Sequence, residues 1–413
     1  MIGKYCGLLL IIFTRWTTTL AANDTTECVI ELQCAECLPE HMPLVTSHRA
    51  AGGRVRVQHA HELRLSCGAG RLLAYPLHAE LSARCEAGRY RAAHDQRLLT
   101  LLQLGCQEDV FEDVLHAAPH CAPPLQGRAY HLREAAAARH IAQLCYDEDR
   151  GRAAFARVAT APGNALPAAA HHHAGAPLSL LGNLNAMLDS RTTADVDRHL
   201  SDDVRLNRRL RELLRHDDVA LAGHTLTGAH LLAAAYFEDQ NARVAELPSN
   251  KVAAWSAVAG GNLAHVQRDV AGVLRAAAPR VLDVYAGTHG AAGVRVDDGR
   301  RELVFAGRFP VPKYFWTIVR ERSSGRSMAL VVLNDPLVAV SEIRESVFCE
   351  SMCGRVRWAR SLRRHRRYEA PALGLAFCCS VRALAASVPE VPRALVPTSS
   401  LNGTDDDTLL TDI

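Results

Sequence analysis

His230 stands immediately before the apolar run Leu231 to Phe237, with Asn250 and then Gly260-Gly261-Asn262 further along the chain. A histidine at a strand end can act as a general base toward water. An asparagine at a helix start can offer a hard oxygen to Mg²⁺. The set points to metal-assisted attack by water, with His230 as base and Asn262 or Asn250 as metal ligands. A lone histidine is more often a satisfied structural residue, so this reading needs support from its surroundings.

A second feature is charge. Seven arginines lie between Arg355 and Arg367, and Arg355, Arg357, Arg363, Arg364, Arg366 and Arg367 are the candidate nucleic-acid contacts, with Trp358, His365 and Tyr368 interleaved. Guanidiniums forking to phosphates and aromatics stacking on bases are how proteins bind nucleic acid without reading sequence. The formal net charge of +3 does not by itself mark such a binder. The alternative is a solvated loop in a chain where arginine has nearly displaced lysine, which occurs only as Lys4, Lys251 and Lys313. A second basic run, Arg205 to Arg215, lies on a predicted helix and is open to both readings.

Cysteine usage bears on the compartment. Lys4 precedes the apolar run Leu8 to Phe13, and the small residues Ala21 and Ala22 follow, the order of a secretory leader over residues 1–22. Its removal takes Cys6 and leaves Cys28, Cys34, Cys37, Cys67, Cys85, Cys106, Cys121, Cys145, Cys349, Cys353, Cys378 and Cys379. An even number in an exported chain predicts disulfides, with their pairing left open. Cys34-x-x-Cys37 reads as a structural bridge rather than a redox or zinc motif, since no histidine follows at finger-like spacing. Asn23-Asp24-Thr25 and Asn402-Gly403-Thr404 are glycosylation sequons. No stretch approaches the roughly 18 apolar residues of a membrane span. The expectation is a soluble, secreted protein.

These residues need elements to position them. The 48% hydrophobic content suffices for a substantial core. Residues 23–140 read as a small disulfide-rich module containing strands, with alternation in Arg54-Val55-Arg56-Val57 and Leu63-Arg64-Leu65. A loop at about 161–177 holds His171-His172-His173; three adjacent histidines cannot all face one metal from a regular element, so it reads as a solvated loop. Helical spacing is predicted over Thr193 to His216 and again over Asn262 to Leu274. Strand-like runs fall at Val281 to Tyr285, Glu302 to Phe305, Phe315 to Val319 and Ala329 to Leu333. Such a mixture predicts an α+β domain over 141–393. The polar, acidic tail at 394–413 is expected to be disordered.

Resemblance sharpens the reading. Thr227-Gly228-Ala229-His230-Leu231-Leu232-Ala233-Ala234-Ala235-Tyr236-Phe237, followed by Asp239-Gln240, resembles the signature of the DNA/RNA non-specific endonucleases, roughly T-R-G-H-L-x-P-A-A-D-F. Asn250 with Trp255 is similar to that family's N-x-x-P-Q-W, Gly260-Gly261-Asn262-Leu263 to its N-G-G-N-W, and Tyr285-Ala286-Gly287-Thr288-His289-Gly290 to its Y-T-G-T-x-G. Val311-Pro312-Lys313-Tyr314-Phe315-Trp316-Thr317-Ile318-Val319 resembles V-P-K-x-F-W-K-I-V, and Asn334-Asp335-Pro336 resembles N-x-P. Cys145-Tyr146-Asp147, Cys349-x-x-x-Cys353 with Trp358, and Cys378-Cys379-Ser380-Val381 resemble secreted insect-type nucleases that digest double-stranded RNA. The likeness runs from Leu144 to Val391.

That resemblance implies a ββα-metal nuclease core and one-metal hydrolysis: histidine deprotonates water, Mg²⁺ on an asparagine steadies the phosphate, and a nearby arginine stabilises developing charge. Carried over residue by residue, only the base is retained, as His230. Gly228 stands where the arginine belongs, Ala259 where the metal asparagine belongs, Gln267 for a supporting glutamate and Ala271 for an arginine. Tyr236 replaces an aspartate, and Ala253-Ala254 a proline-glutamine pair. Asn262 matches a different family residue. His224, in Ala222-Gly223-His224, restores a Gly-His pair but abandons the match downstream. Loss of one preorganised charge stabiliser typically costs about 10²–10³ in rate, so hydrolysis is expected to be impaired or absent. Two alternatives stay open: an active nuclease using a displaced ligand such as Asn262 or Asn250, and a non-catalytic extracellular protein-interaction module.

Overall fold

In the computed structural model, the described residues are 27–32, 34, 37–51, 53–116, 118, 121–134, 138–159, 203–214, 221, 223–296, 299–305, 309–396 and 409–412. The leader, the His171 to His173 loop and both sequon asparagines lie outside them. The continuous apolar run in strand Tyr314–Glu321 is unlike a half-buried strand, and its place in the sheet explains it. The strand is interior to an eight-stranded antiparallel sheet ordered Ala376–Cys379, Ser327–Leu333, Tyr314–Glu321, Leu282–His289, Arg152–Ala159, Arg139–Asp147, Gln126–Leu132, Phe111–Leu115. Both faces of its centre are covered. Phe315, Val319, Leu330 and Val332 pack into one core, while Tyr314, Trp316, Ile318, Val331 and Phe377 pack into another beneath helix Val381–Ser387. Gly287 permits the tight crossing at this point, since a Cβ there would sit 2.3 Å from the Trp316 ring.

The predicted disulfide framework forms as six bridges: Cys28–Cys85, Cys34–Cys37, Cys67–Cys106, Cys121–Cys145, Cys349–Cys379 and Cys353–Cys378. Cys28–Cys85 and Cys67–Cys106 staple a five-stranded sheet ordered Leu44–Val45, Glu62–Ser66, Glu80–Glu86, Arg89–Ala92, Leu98–Leu99, together with the pair Cys28–Glu31 and Arg54–Val57, while Cys34–Cys37 is a local bridge. The boundary expected at 140/141 falls inside strand Arg139–Asp147, and strands Phe111–Leu115 and Gln126–Leu132 belong to the large sheet. Composition hid this, because Cys121 bridges forward to Cys145 on that sheet rather than back into the small module.

Below one face of the large sheet sits a two-stranded pair, Leu226–His230 with Lys251–Trp255, followed by helix Ser256–Val258, a wide turn Ala259–Leu263 and helix Ala264–Ala276. The long helix buries Val266, Val270, Val273 and Leu274, the stripe predicted from spacing, though it begins two residues later than Asn262. Helix Asp203–Leu214 is the described part of the other predicted helix, and its Asn207 holds strand Leu226–His230 through both the amide N–H and the carbonyl of Leu226. Among the described residues no helix is long and apolar enough to cross a membrane.

The tail departs from expectation. Leu409 bridges Ser327, Leu409 and Leu410 are buried, and the Trp358 indole donates to the Leu410 carbonyl at 2.9 Å. The polar composition of 398–408 masks two leucines that supply enough apolar surface to dock.

Candidate active site and nucleic-acid interface

Register in the two-stranded pair places Gly228 opposite Ala253 and His230 opposite Lys251. Directly opposed residues share a face, so the imidazole and the ammonium emerge together. Between them comes Glu246, at the end of the 3₁₀ segment Asp239–Glu246. Its Oε2 accepts from Lys251 Nζ at 2.7 Å, and its Oε1 lies 3.3 Å from His230 Nε2, at an angle outside hydrogen-bond geometry. The Lys251 side chain is 0% exposed, whereas that of Glu246 is 51% exposed. Burial opposes the Glu246 charge, but His230 and Lys251 outweigh it and hold the carboxyl well below its usual range.

The segment bearing Glu246 is anchored from the other side by the small module. Gln240 accepts from the Val45 N–H at 2.7 Å and donates to the Val45 carbonyl at 2.6 Å, Asp239 accepts from the Ala50 N–H, and Arg243 donates to the Met42 carbonyl. The partner of His230 is thus positioned by residues nearly two hundred positions upstream. Nothing in the sequence marks Glu246, because it falls between the matched segments that end at Gln240 and resume at Asn250.

Helix Ala264–Ala276 meets the same strand. Gln267 Nε2 donates to the His230 carbonyl at 2.8 Å, bringing together two positions aligned with the resembled site. Gly228 lies two residues before His230 on the same strand face, and the turn beginning at Ala259 packs against this strand. Ala271 is buried in the core. Tyr236 is buried, with no hydrogen-bond partner for its hydroxyl, and burial pushes that hydroxyl well up, with Asp269 adding to the effect. His224 lies just before the strand, at the end away from His230.

The two asparagines differ. Asn250 is fully buried and committed: it accepts from the Leu232 N–H and donates to the carbonyls of Leu232 and Ala245. Asn262 donates to the carbonyls of Arg367 and Gly374, both at 2.7 Å, and its buried Oδ1 has no hydrogen-bond partner. Magnesium takes a near-octahedral set of oxygens at about 2.0–2.1 Å. Ala259 has no side-chain oxygen, that of Asn250 is spent, and among the described residues no three His, Cys, Asp or Glu gather into a metal site. The Asn262 Oδ1 apart, the donors present do not fit Mg²⁺.

Asn262, His265 and Asp269 instead hold the arginine-rich segment. Asp269 accepts from the N–H groups of Ser361 and Leu362, both at 2.8 Å. Burial pushes its carboxyl up to about 6 despite those bonds. Gly261 permits the approach, since a Cβ there would sit 2.5 Å from the Leu373 carbonyl. His265 Nε2 lies 2.9 Å from Arg367 Nη1 and its Nδ1 lies 2.8 Å from Ser361 Oγ, with Arg268 Nη1 also 2.9 Å from that hydroxyl. A guanidinium only donates, and Arg268 Nη1 also lies 2.9 Å from Nδ1, so both ring nitrogens of His265 face guanidinium donors. Burial, then Arg367 and Arg268, push the imidazole down to about 4.

The six candidate arginines divide accordingly. Arg366 pairs with Glu369, Arg357 with Asp412, and Arg355 is also engaged. Arg363 and Arg364 are exposed, and Arg367 is half-buried against His265; none of the three has a carboxylate partner among the described residues. Arg268, missed in the sequence because it belongs to no run of arginines, joins them. Trp358 is 8% exposed and bonded to the tail, so it is not a stacking surface; His365 is exposed. The described part of the second basic run lies on helix Asp203–Leu214, where Arg209 pairs with Glu212.

No family model matches the chain, and no curated protein matches it. Among solved structures, one described as "Crystal structure of the EndoG/EndoGI complex: Mechanism of EndoG inhibition" is similar with a TM-score of 0.28 and 12% identity, over 50% of this chain and 80% of that chain. At that TM-score the likeness fixes neither fold family nor activity.

Proposed function

We propose that this chain is a secreted relative of the DNA/RNA non-specific endonucleases that binds RNA or DNA without sequence preference and hydrolyses it weakly or not at all. The observation that carries this reading is a juxtaposition on one helix. Gln267 leads to a His230 whose neighbours Glu246 and Lys251 are already paired, while His265 and Arg268 lead to arginines without carboxylate partners. The first arrangement supplies a base whose neighbouring carboxylate and cation are engaged with each other. The second supplies uncompensated positive charge, which phosphates seek.

Within this reading the nuclease-like unit is the large sheet from strand Phe111–Leu115 onward with the elements packed on it, the six disulfides suit an oxidising compartment, and His230 is the relic of an ancestral general base. The unpartnered Oδ1 of Asn262 favours a second reading, residual Mg²⁺-dependent cleavage through a displaced ligand. Titration of double-stranded RNA and plasmid DNA at several salt concentrations, with parallel digestion in Mg²⁺, tests both. Binding that weakens steeply with salt, without cleavage, supports the proposal. Salt-insensitive or absent binding supports a protein-interaction module instead.

A further inference from the structure

The C-terminal tail returns to the body of the protein beside the arginine-rich segment. The Arg357 N–H donates to the Thr411 carbonyl at 2.9 Å, the Trp358 indole to the Leu410 carbonyl at 2.9 Å, and the Arg357 guanidinium pairs with Asp412 at 3.3 Å. On its other side the Leu410 N–H donates to the Ser327 carbonyl at 3.1 Å, and Leu409 and Leu410 are buried in the same core as Trp358. In its contacts with Arg357 and Trp358 the tail only accepts and the arginine-rich segment only donates. A nucleic acid brings the same kind of acceptor in its phosphates, and stacks its bases on aromatic rings. We propose that residues 409–412 are an autoinhibitory strap, which occupies the Arg357–Trp358 end of the nucleic-acid interface and whose release opens a stacking site for unpaired bases. This rests on the nucleic-acid reading above and adds a means of regulating it.

The hold of the strap is unevenly spread. The side chains of Arg357 and Asp412 are 80% and 57% exposed, and an ion pair so exposed holds little. Leu409 and Leu410 supply the apolar burial that keeps the strap in place. A polyanion can therefore take Arg357 from Asp412 at little cost, whereas uncovering Trp358 requires the leucines to leave. The segment beneath has anchors of its own: Asp269 accepts from the Ser361 and Leu362 N–H groups, and the Cys353–Cys378 bridge ties its start to the large sheet. Tail docking and base stacking at Trp358 exclude each other, so each weakens the other by the same factor.

The full chain carrying Leu409→Ser and Leu410→Ser is compared with the wild type for binding a fluorescent single-stranded oligothymidylate and a DNA duplex of the same length, over a series of salt concentrations. Release of the strap is expected to raise single-strand affinity at least about fivefold, the scale of one base stacking on an aromatic ring. The duplex, whose bases already stack on one another, gains less. Adding Trp358→Leu cancels the single-strand gain. A synthetic peptide of residues 398–413 reverses it in the double variant, and the same peptide with both leucines changed to serine does not, a pattern that a misfolded variant cannot produce. Equal, salt-dependent binding by the wild type and the double variant overturns the strap and leaves the nucleic-acid reading standing, as does a gain that survives Trp358→Leu. Binding by neither protein removes both.

Discussion

Lys251 lies directly across the strand pair from His230, and both side chains end on the carboxylate of Glu246. The cation beside His230 is therefore an ammonium built into the fold. Lys251 is fully buried, so Glu246→Gln leaves it without a counter-charge. The expected loss is about 3 kcal/mol, the low end for breaking a buried pair, because Glu246 itself faces solvent. Glu246→Gln with Lys251→Met recovers most of it in denaturant unfolding. The depressed Glu246 carboxyl contributes stability above the ordinary value of 4.5, and that contribution is lost as pH falls below it. A single variant as stable as the wild type removes this account of the triad.

Gln267 is a second test. The resembled family has a glutamate there, but here the amide nitrogen donates to the His230 carbonyl. An ionised glutamate cannot donate, so Gln267→Glu faces oxygen against oxygen and costs about 1–3 kcal/mol. Thermal melts at pH 7 measure it. Unchanged stability means the bond is dispensable.

Acidification should tighten nucleic-acid binding. The folded His265 value of about 4 lies below its ordinary 6.5, so its contribution to stability is present above pH 6.5 and lost as pH falls toward 4. A polyanion beside Arg268 and Arg367 favours the imidazolium. Affinity for double-stranded RNA should therefore rise across that window, and His265→Ala should flatten the rise. An identical pH profile in the variant excludes His265 from the interface.

Removal of residues 398–413 exposes the surfaces that Leu409 and Leu410 cover and strips the Trp358 indole of its acceptor. Burying one leucine is worth about 1.5–3 kcal/mol, so the truncated chain should melt several degrees lower. An unchanged melting temperature would mean that the tail does not dock in solution.

The sequence made much of this legible, unevenly. The stripe Val266, Val270, Val273 gave the long helix, and the cysteine count gave the bridges without their partners. The place of His230 at a strand end was legible because a histidine followed by an apolar run is a local pattern. Glu246 and Arg268 were not, since their roles arise only when a segment tied to Val45 and a helix facing Ser361 are folded into place. Trp358 misled for the same reason: an aromatic among arginines looks like a stacking surface until the tail covers it.

The central claim is tested most directly by incubating wild type and His230→Ala with double-stranded RNA and plasmid DNA in Mg²⁺, with binding measured on the same samples. Salt-dependent binding by both proteins, with at most trace cleavage by the wild type, is the predicted result. Complete Mg²⁺-dependent digestion by catalytic amounts of the wild type that disappears in His230→Ala would contradict it, and would make this chain a working nuclease.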